Sequence, residues 1–201
     1  MRVAVFVDGG NYIGLMKTIG WKIDLDKFLK YLVQEDTLVD AFYFMSVASN
    51  TKPGIMTMLA KKGFSVITKP AKETPNPSFP NGKKILKANM DVEFATTVVL
   101  TMDHYDKAIL VTGDGDFVCL LTILMNSGKM FEVVSTEKLI NKELRCVAGM
   151  HYTDIGALQE TLCYNEGGAA EDEIAFFETS EEFEEWIEDT ELPPIGADDN
   201  A

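Results

Sequence analysis

The sequence predicts an α/β domain of three layers, α/β/α, built on a mainly parallel sheet. Three observations carry this. Short uninterrupted apolar runs, of the kind found in strands covered on both faces, alternate with segments whose apolar residues recur at helical spacing. Two of those runs end in an acid-and-glycine turn, Val-Phe-Val-Asp8-Gly-Gly-Asn11 and Leu-Val-Thr-Gly-Asp114-Gly-Asp116-Phe. A chain of 201 residues with 46% hydrophobic composition is also long enough for one sizeable core.

Taken in order, residues 2–7 form the first buried strand, which Gly9 and Gly10 end. Asp24 caps a helix whose apolar residues Leu25, Phe28, Leu29, Leu32 and Val33 share one face, and residues 38–47 return as an aromatic-rich strand. Pro53 suits the first turn of a helix carrying Ile55, Met56, Met58 and Leu59, before a third strand at residues 64–68. The order so far is βαβαβ. Residues 70–84 contain four prolines with Asn76, Asn81 and Gly82, and are expected to run as an extended loop without a ladder of its own. A helix is expected from about residue 88 to 102, then a buried strand at 107–112 and a helix at 116–127 ending at Gly128. A strand at 131–134, a helix at 139–147 and an edge segment at 152–155 complete the domain. It is expected to occupy residues 1–160, followed by a tail at 165–201.

The net charge of -14 is unevenly placed. Residues 165–201 hold 14 of the 32 acids and none of the 18 basic residues, so the rest of the chain is neutral. Within that neutral part, residues 61–87 carry seven lysines against the single acid Glu73, a local basic patch. Three cysteines form no CxxC pair, and Cys119, in the apolar run 117–121, is expected to be a buried reduced thiol. His104 and His151 alone supply too few ligands for zinc chemistry. No run approaches the roughly 20 apolar residues that span a bilayer, and the chain enters a strand at once rather than a targeting segment. A cytoplasmic protein without a membrane anchor is the expectation.

In sheets of this kind ligands bind beyond the carboxyl ends of the strands, where Asp8 and Asp114 are expected to lie. Asp91 joins them from near the start of the helix expected from residue 88, within Lys87-Ala-Asn89-Met-Asp91-Val-Glu93. Glu93 lies roughly 200° further round that helix, on a face expected to be solvated. Convergence of Asp8, Asp91, Asp114 and Asp116 requires a cation to offset their repulsion, and oxygen donors without imidazole or thiolate select Mg²⁺ or Mn²⁺. Such an ion generates hydroxide from water and stabilises charge on a phosphate in transfer. Gly9, Gly10, Gly113 and Gly115 are expected to let a phosphate backbone come close, although tight turns use glycine equally. Asn11 has a hydrogen bond to offer a carboxylate or a bound water, and Thr112 one to hold Asp114; ordinary turn and strand roles are equally open to both.

Three motifs in this order, VDGGN at 7–11, KANMDVE at 87–93 and VTGDGDF at 111–117, followed by Gly-Lys-x-x-Glu-Val-Val, resemble the NYN domain, in particular its LabA-like branch within the PIN-like nuclease superfamily. The resemblance covers about residues 2–155. It implies a Rossmann-like, PIN-like fold and metal-dependent RNA cleavage by acids at the Asp8, Asp91, Asp114 and Asp116 positions, which would be both catalytic and metal-binding. In one place the chain departs from the pattern: many relatives carry a further aspartate where this chain has Thr97, which leaves one ligand fewer. The alternative that this departure favours is a non-catalytic module binding RNA or a protein partner. A haloacid-dehalogenase-type phosphatase would need a second aspartate where Gly10 stands, and a Toprim domain a glutamate in place of Asp8.

On this reading Asn11 and the lysines 69, 72, 83, 84 and 87 bind substrate, the lysines holding the phosphates of a single RNA strand, with Tyr12 or Phe79 available to stack on a base. In the tail, Phe183, Trp186 and Ile187 fall at i, i+3 and i+4 on one face of an acidic amphipathic helix. Aromatics in such a segment favour docking, on a protein partner or back onto the lysine patch in competition with RNA. The sequence does not distinguish a monomer from a homodimer.

Overall fold

The computed structural model describes residues 1–47, 54–75 and 84–164; the side chains of residues 73–75 and 84–87 lie outside that description. Pro53, Phe79, Lys83 and the whole tail, with its expected helix, lie outside the described residues. The strands are β1 (Arg2–Asp8), β2 (Thr37–Val47), β3 (Ser65–Pro70), β4 (Lys72–Pro75), β5 (Lys84–Lys87), β6 (Lys107–Val111), β7 (Met130–Ser135) and β8 (Tyr152–Asp154). The helices are α1 (Gly9–Ile19), α2 (Leu25–Val33), α3 (Gly54–Lys61), α4 (Asp91–Leu100), α5 (Val118–Asn126), α6 (Lys142–Ala148) and α7 (Gln159–Leu162). None is long and apolar enough to cross a membrane.

Six strands form one parallel sheet in the order β3-β2-β1-β6-β7-β8. Strand β1 is central because its residues are apolar on both faces, as a strand covered on both sides must be. Val3, Val5 and Val7 point into a core with Tyr12 of α1, Phe28 of α2 and Leu59 of α3. Ala4 and Phe6 point the other way, into a core with Phe94 of α4, Leu120 and Leu121 of α5 and Leu144 of α6. Three layers result, as the alternating pattern predicts.

The sheet order reverses direction between β1 and β6: from β1 the chain adds β2 and β3 on one side, then returns to add β6, β7 and β8 on the other. The loops leaving these two adjacent strands therefore diverge and open a crevice at their carboxyl ends. Both acid-and-glycine turns sit there.

Several expectations are corrected. The strand ends before Gly9 and Gly10 as expected, but these two glycines also open α1, an eleven-residue helix absent from the expected order of elements. The helical signal is weak because Gly9, Gly10 and Gly14 depress propensity, but the buried positions Tyr12, Leu15 and Met16 keep helical spacing and packing overrides propensity. Tyr12 is 1% exposed, so it is a core residue and not a platform for a base. Residues 70–84 do not lack a ladder: β4 and β5 pair antiparallel, with Lys72 opposite Lys87 and Pro75 opposite Lys84. Pro70 and Pro75 occupy strand ends, where a missing N–H is tolerated. Cys119 is exposed, since α5 turns it away from the core that holds Leu120 and Leu121. Helix α4 begins at Asp91 and α6 at Lys142, each later than the apolar pattern suggests: Asn89 makes a turn before α4 by accepting Asp91 N–H, and Asn141 caps α6. The packed chain continues to Tyr164, whose N–H donates to Lys22 O at 3.0 Å.

Candidate metal centre

Asp8 is placed by its own helix. Its Oδ1 accepts the N–H groups of Gly10 at 3.0 Å and Asn11 at 3.2 Å, so it is the N-cap of α1 as well as the last residue of β1. Its Oδ2 accepts Asn11 Nδ2 at 2.7 Å and the Thr112 hydroxyl at 3.4 Å. Asn11 thus bonds a carboxylate, one of its two expected roles. Thr112, the residue after β6, reaches Asp8 and steers Asp114 through its backbone, accepting Asp114 N–H at 3.2 Å.

The second turn repeats the device. Asp114 caps the short 3₁₀ turn Gly115–Phe117, its Oδ1 accepting Asp116 N–H at 3.0 Å. Asn11 Oδ1 accepts Gly113 N–H at 3.0 Å, tying the end of β1 to the end of β6. Asp91 is the first residue of α4, and its N–H donates to Asn89 Oδ1 at 2.8 Å. Phe94, one turn along, packs on Phe44 and Phe117 with ring centroids 4.9 and 4.6 Å apart, which locks the start of α4 against β2 and against the turn carrying Asp116.

Oxygens of Asp91, Asp114 and Asp116 all lie within 4.8 Å of one another, Asp91 and Asp114 half-buried and Asp116 exposed. Two unit charges at 4.8 Å repel by about 1 kcal/mol in water and about 3.5 kcal/mol at an effective dielectric near 20, so three of them favour a bound cation. The donors are carboxylate oxygens alone, which fits a hard divalent ion. Asp8 stands beside this trio with its oxygens already engaged. Burial pushes its carboxyl above the ordinary range; the bonds from Asn11 pull it down, while neighbouring Asp91 and Asp114 push it further up.

The glycines do different work from that expected of them. A Cβ on Gly9 would lie 2.5 Å from Phe44 O, on Gly113 3.0 Å from Leu139 O, and on Gly115 2.7 Å from the Asn141 side chain. They let the two turns seat against the protein itself; of the four, Gly10 alone meets no more than Asp8 Oδ1 at 3.5 Å. Asn141 went unmarked in the sequence. It donates its N–H to Gly113 O at 2.8 Å and caps α6, buttressing the turn that presents Asp114 and Asp116. Its signal was the cap pattern Asn-Lys-Glu before an apolar run.

Glu93 does not face solvent alone. Its Oε1 pairs with Lys69 Nζ at 2.7 Å, which holds its carboxyl below the ordinary range, and its Oε2 is shielded from solvent with no hydrogen-bond partner among the described residues. Lys69 Nζ also donates to Asn89 O at 3.1 Å, so this lysine braces the start of α4. Lys72, Lys84 and Lys87 lie on the β4–β5 ribbon that continues from β3. Thr97 points its hydroxyl back to Glu93 O at 2.7 Å.

The family model for the NYN domain matches residues 2–156. The low amplitude and bright protein LabA of Synechococcus elongatus is 32% identical over 148 residues, which cover 72% of this chain and 78% of that protein. A crystal structure of a protein of unknown function from Vibrio parahaemolyticus superposes with a TM-score of 0.61 at 25% identity, over 77% of this chain and 92% of that one. With the three motifs at the switch point of the sheet, the match over residues 2–156 establishes that this chain belongs to the NYN domain family.

Proposed function

We propose that the protein is a Mg²⁺- or Mn²⁺-dependent ribonuclease. The observation that carries this reading is the meeting of Asp91, Asp114 and Asp116, from two separate segments, at the carboxyl ends of β1 and β6. A divalent ion held there supplies an activated water and a counter-charge for the phosphate. Asp91, Asp114 and Asp116 would hold it. Asp8, with Asn11 and Thr112 on its oxygens, orients the end of β6 and adds negative charge behind the trio. A cationic ribbon and an anionic pocket side by side suit a phosphodiester: lysines meet flanking phosphates while the acids meet the one to be cut.

The lysine ribbon supports RNA as the polymer. In the β4–β5 register the backbone of Lys72 pairs with that of Lys87, which gathers basic residues on a short ribbon, and such a ribbon suits a polyanion. Lys69 already has a partner in Glu93. The second reading, an RNA- or protein-binding module without cleavage, has Thr97 in its favour: its hydroxyl is spent on the helix backbone and adds no carboxylate to the trio. The relative from Synechococcus is named for a phenotype and not for a reaction.

A cleavage assay on single-stranded RNA with Mn²⁺, Mg²⁺ or EDTA separates the two. The nuclease cuts with either metal, not in EDTA, and loses activity in both Asp8→Asn and Asp114→Asn. Binding without cutting establishes the module, and cutting that survives both substitutions belongs to a contaminant.

A further inference from the structure

From the acidic centre a groove of about 410 Å³ runs outward between α4 and α5, with Asp91 and Asp116 at its inner end. Its walls are apolar: Val92, Val99 and Leu100 of α4 face Leu120 and Ile123 of α5, and none of the described residues lining it is basic. Val92 is 71% exposed and Leu100 77%. Helix α5 carries no charged residue at all, whereas α2, on the opposite face of the sheet, presents Asp26, Lys27 and Lys30 as a surface helix ordinarily does. An apolar groove of this size beside a charged centre has the make-up of a ligand site.

Which ligand follows from the charges. The acids at the inner end belong to the metal centre, and beyond them the apolar walls carry no group to pair with a phosphate, so the groove does not suit the charged backbone. A nucleic acid strand nevertheless has an apolar, flat part at every residue, and that part is free to leave its stack when the strand is unpaired. We propose that the groove between α4 and α5 is a nucleobase subsite, taking the unpaired base next to the phosphate held at Asp91, Asp114 and Asp116. The lysine ribbon and the groove then divide the strand between them, backbone to one and base to the other. This rests on the reading of the centre as an RNA site, and duplex RNA is excluded from the groove because its bases are paired.

The test is binding by fluorescence anisotropy in Ca²⁺, using the full chain, a labelled oligouridylate, and an oligonucleotide of equal length whose residues are abasic. The expected result is a preference of about tenfold for the base-bearing strand, the effect of losing one base contact. Thr96→Trp, which fills the groove from an exposed position, and Ile123→Glu, which charges it, are each expected to abolish that preference while leaving Mn²⁺ affinity unchanged. Equal affinity of the wild type for both strands overturns the proposal, as does a preference that survives both substitutions. If light scattering shows that the substitutions dissociate a dimer while the preference persists, the groove is a self-association face and the proposal is wrong. A wild type that binds neither strand removes the RNA reading of the centre itself, and the subsite with it.

Discussion

Asn11 clamps Asp8: its Nδ2 donates to Asp8 Oδ2 at 2.7 Å while its Oδ1 accepts the N–H of Gly113 at 3.0 Å. One amide therefore fixes a carboxylate at the end of β1 and the turn that carries Asp114 after β6. Asn11→Leu leaves the Gly113 N–H and one oxygen of Asp8 without this partner. A loss of about 1–3 kcal/mol is expected in urea unfolding. Mn²⁺ affinity is expected to fall by about 10- to 100-fold in calorimetric titration, the usual effect of losing a group that orients a ligand.

The Asp8 carboxyl titrates above its ordinary range, with burial the chief cause. A native state that holds this proton more tightly than the unfolded chain loses stability as the pH rises from the ordinary carboxyl value through the raised one. Asp8→Asn keeps an N-cap and removes the charge. Without metal, the wild type is expected to lose stability relative to the variant as the pH rises through the raised value, and to regain it as the pH is lowered. A constant gap across that range would contradict the account of Asp8.

Lys69 is expected to contribute less to RNA binding than its place in the lysine patch suggests, because Glu93 neutralises it. Measured as the slope of log affinity against log salt, Lys72→Gln is expected to reduce the slope by about one phosphate contact. Lys69→Gln is expected to change it by less. Equal slopes for the two variants would show that Glu93 releases the lysine to RNA.

Gly9 and Gly113 are expected to tolerate no side chain. A Cβ on Gly9 falls 2.5 Å from Phe44 O and one on Gly113 falls 3.0 Å from Leu139 O, both backbone atoms that cannot swing aside. Thermal or urea melts are expected to show Gly9→Ala and Gly113→Ala destabilised by about 1–3 kcal/mol each. Gly10→Ala, whose Cβ meets only Asp8 Oδ1 at 3.5 Å, is expected to cost much less.

The acidic tail, residues 165–201, is proposed to compete with RNA for the lysines of the β4–β5 ribbon. Removing residues 168–201 is then expected to tighten RNA binding at low salt, measured against the full chain. Affinity unchanged by the deletion would overturn this proposal.

How legible this molecule is in its sequence depends on the kind of signal. The parallel sheet and the two strand-end acids show plainly because buried strands are continuous apolar runs and Asp8 and Asp114 interrupt them. Helix α1 is hidden because three glycines weaken its helical signal, and the first of them, Gly9, answers to Phe44 and Tyr43, contacts made by a strand more than thirty residues away. The same long-range logic hid the pairing of Glu93 with Lys69 across 24 residues of sequence, including the whole ribbon. Helical spacing correctly set Glu93 apart from Asp91 but could not show that β3 ends against that other face. Cys119 was misread because an apolar window says that a helix is largely buried, not which side of it faces outward.

The central claim is that Asp91, Asp114 and Asp116 together hold a hard divalent cation. Titration of Mn²⁺ into the metal-free protein, followed by electron paramagnetic resonance of the free ion, tests it most directly. The account predicts binding that Mg²⁺ competes away and that falls at least about 10-fold in each of Asp91→Asn, Asp114→Asn and Asp116→Asn. Mn²⁺ that stays entirely free with the wild type, or that binds all three variants as tightly, would contradict it.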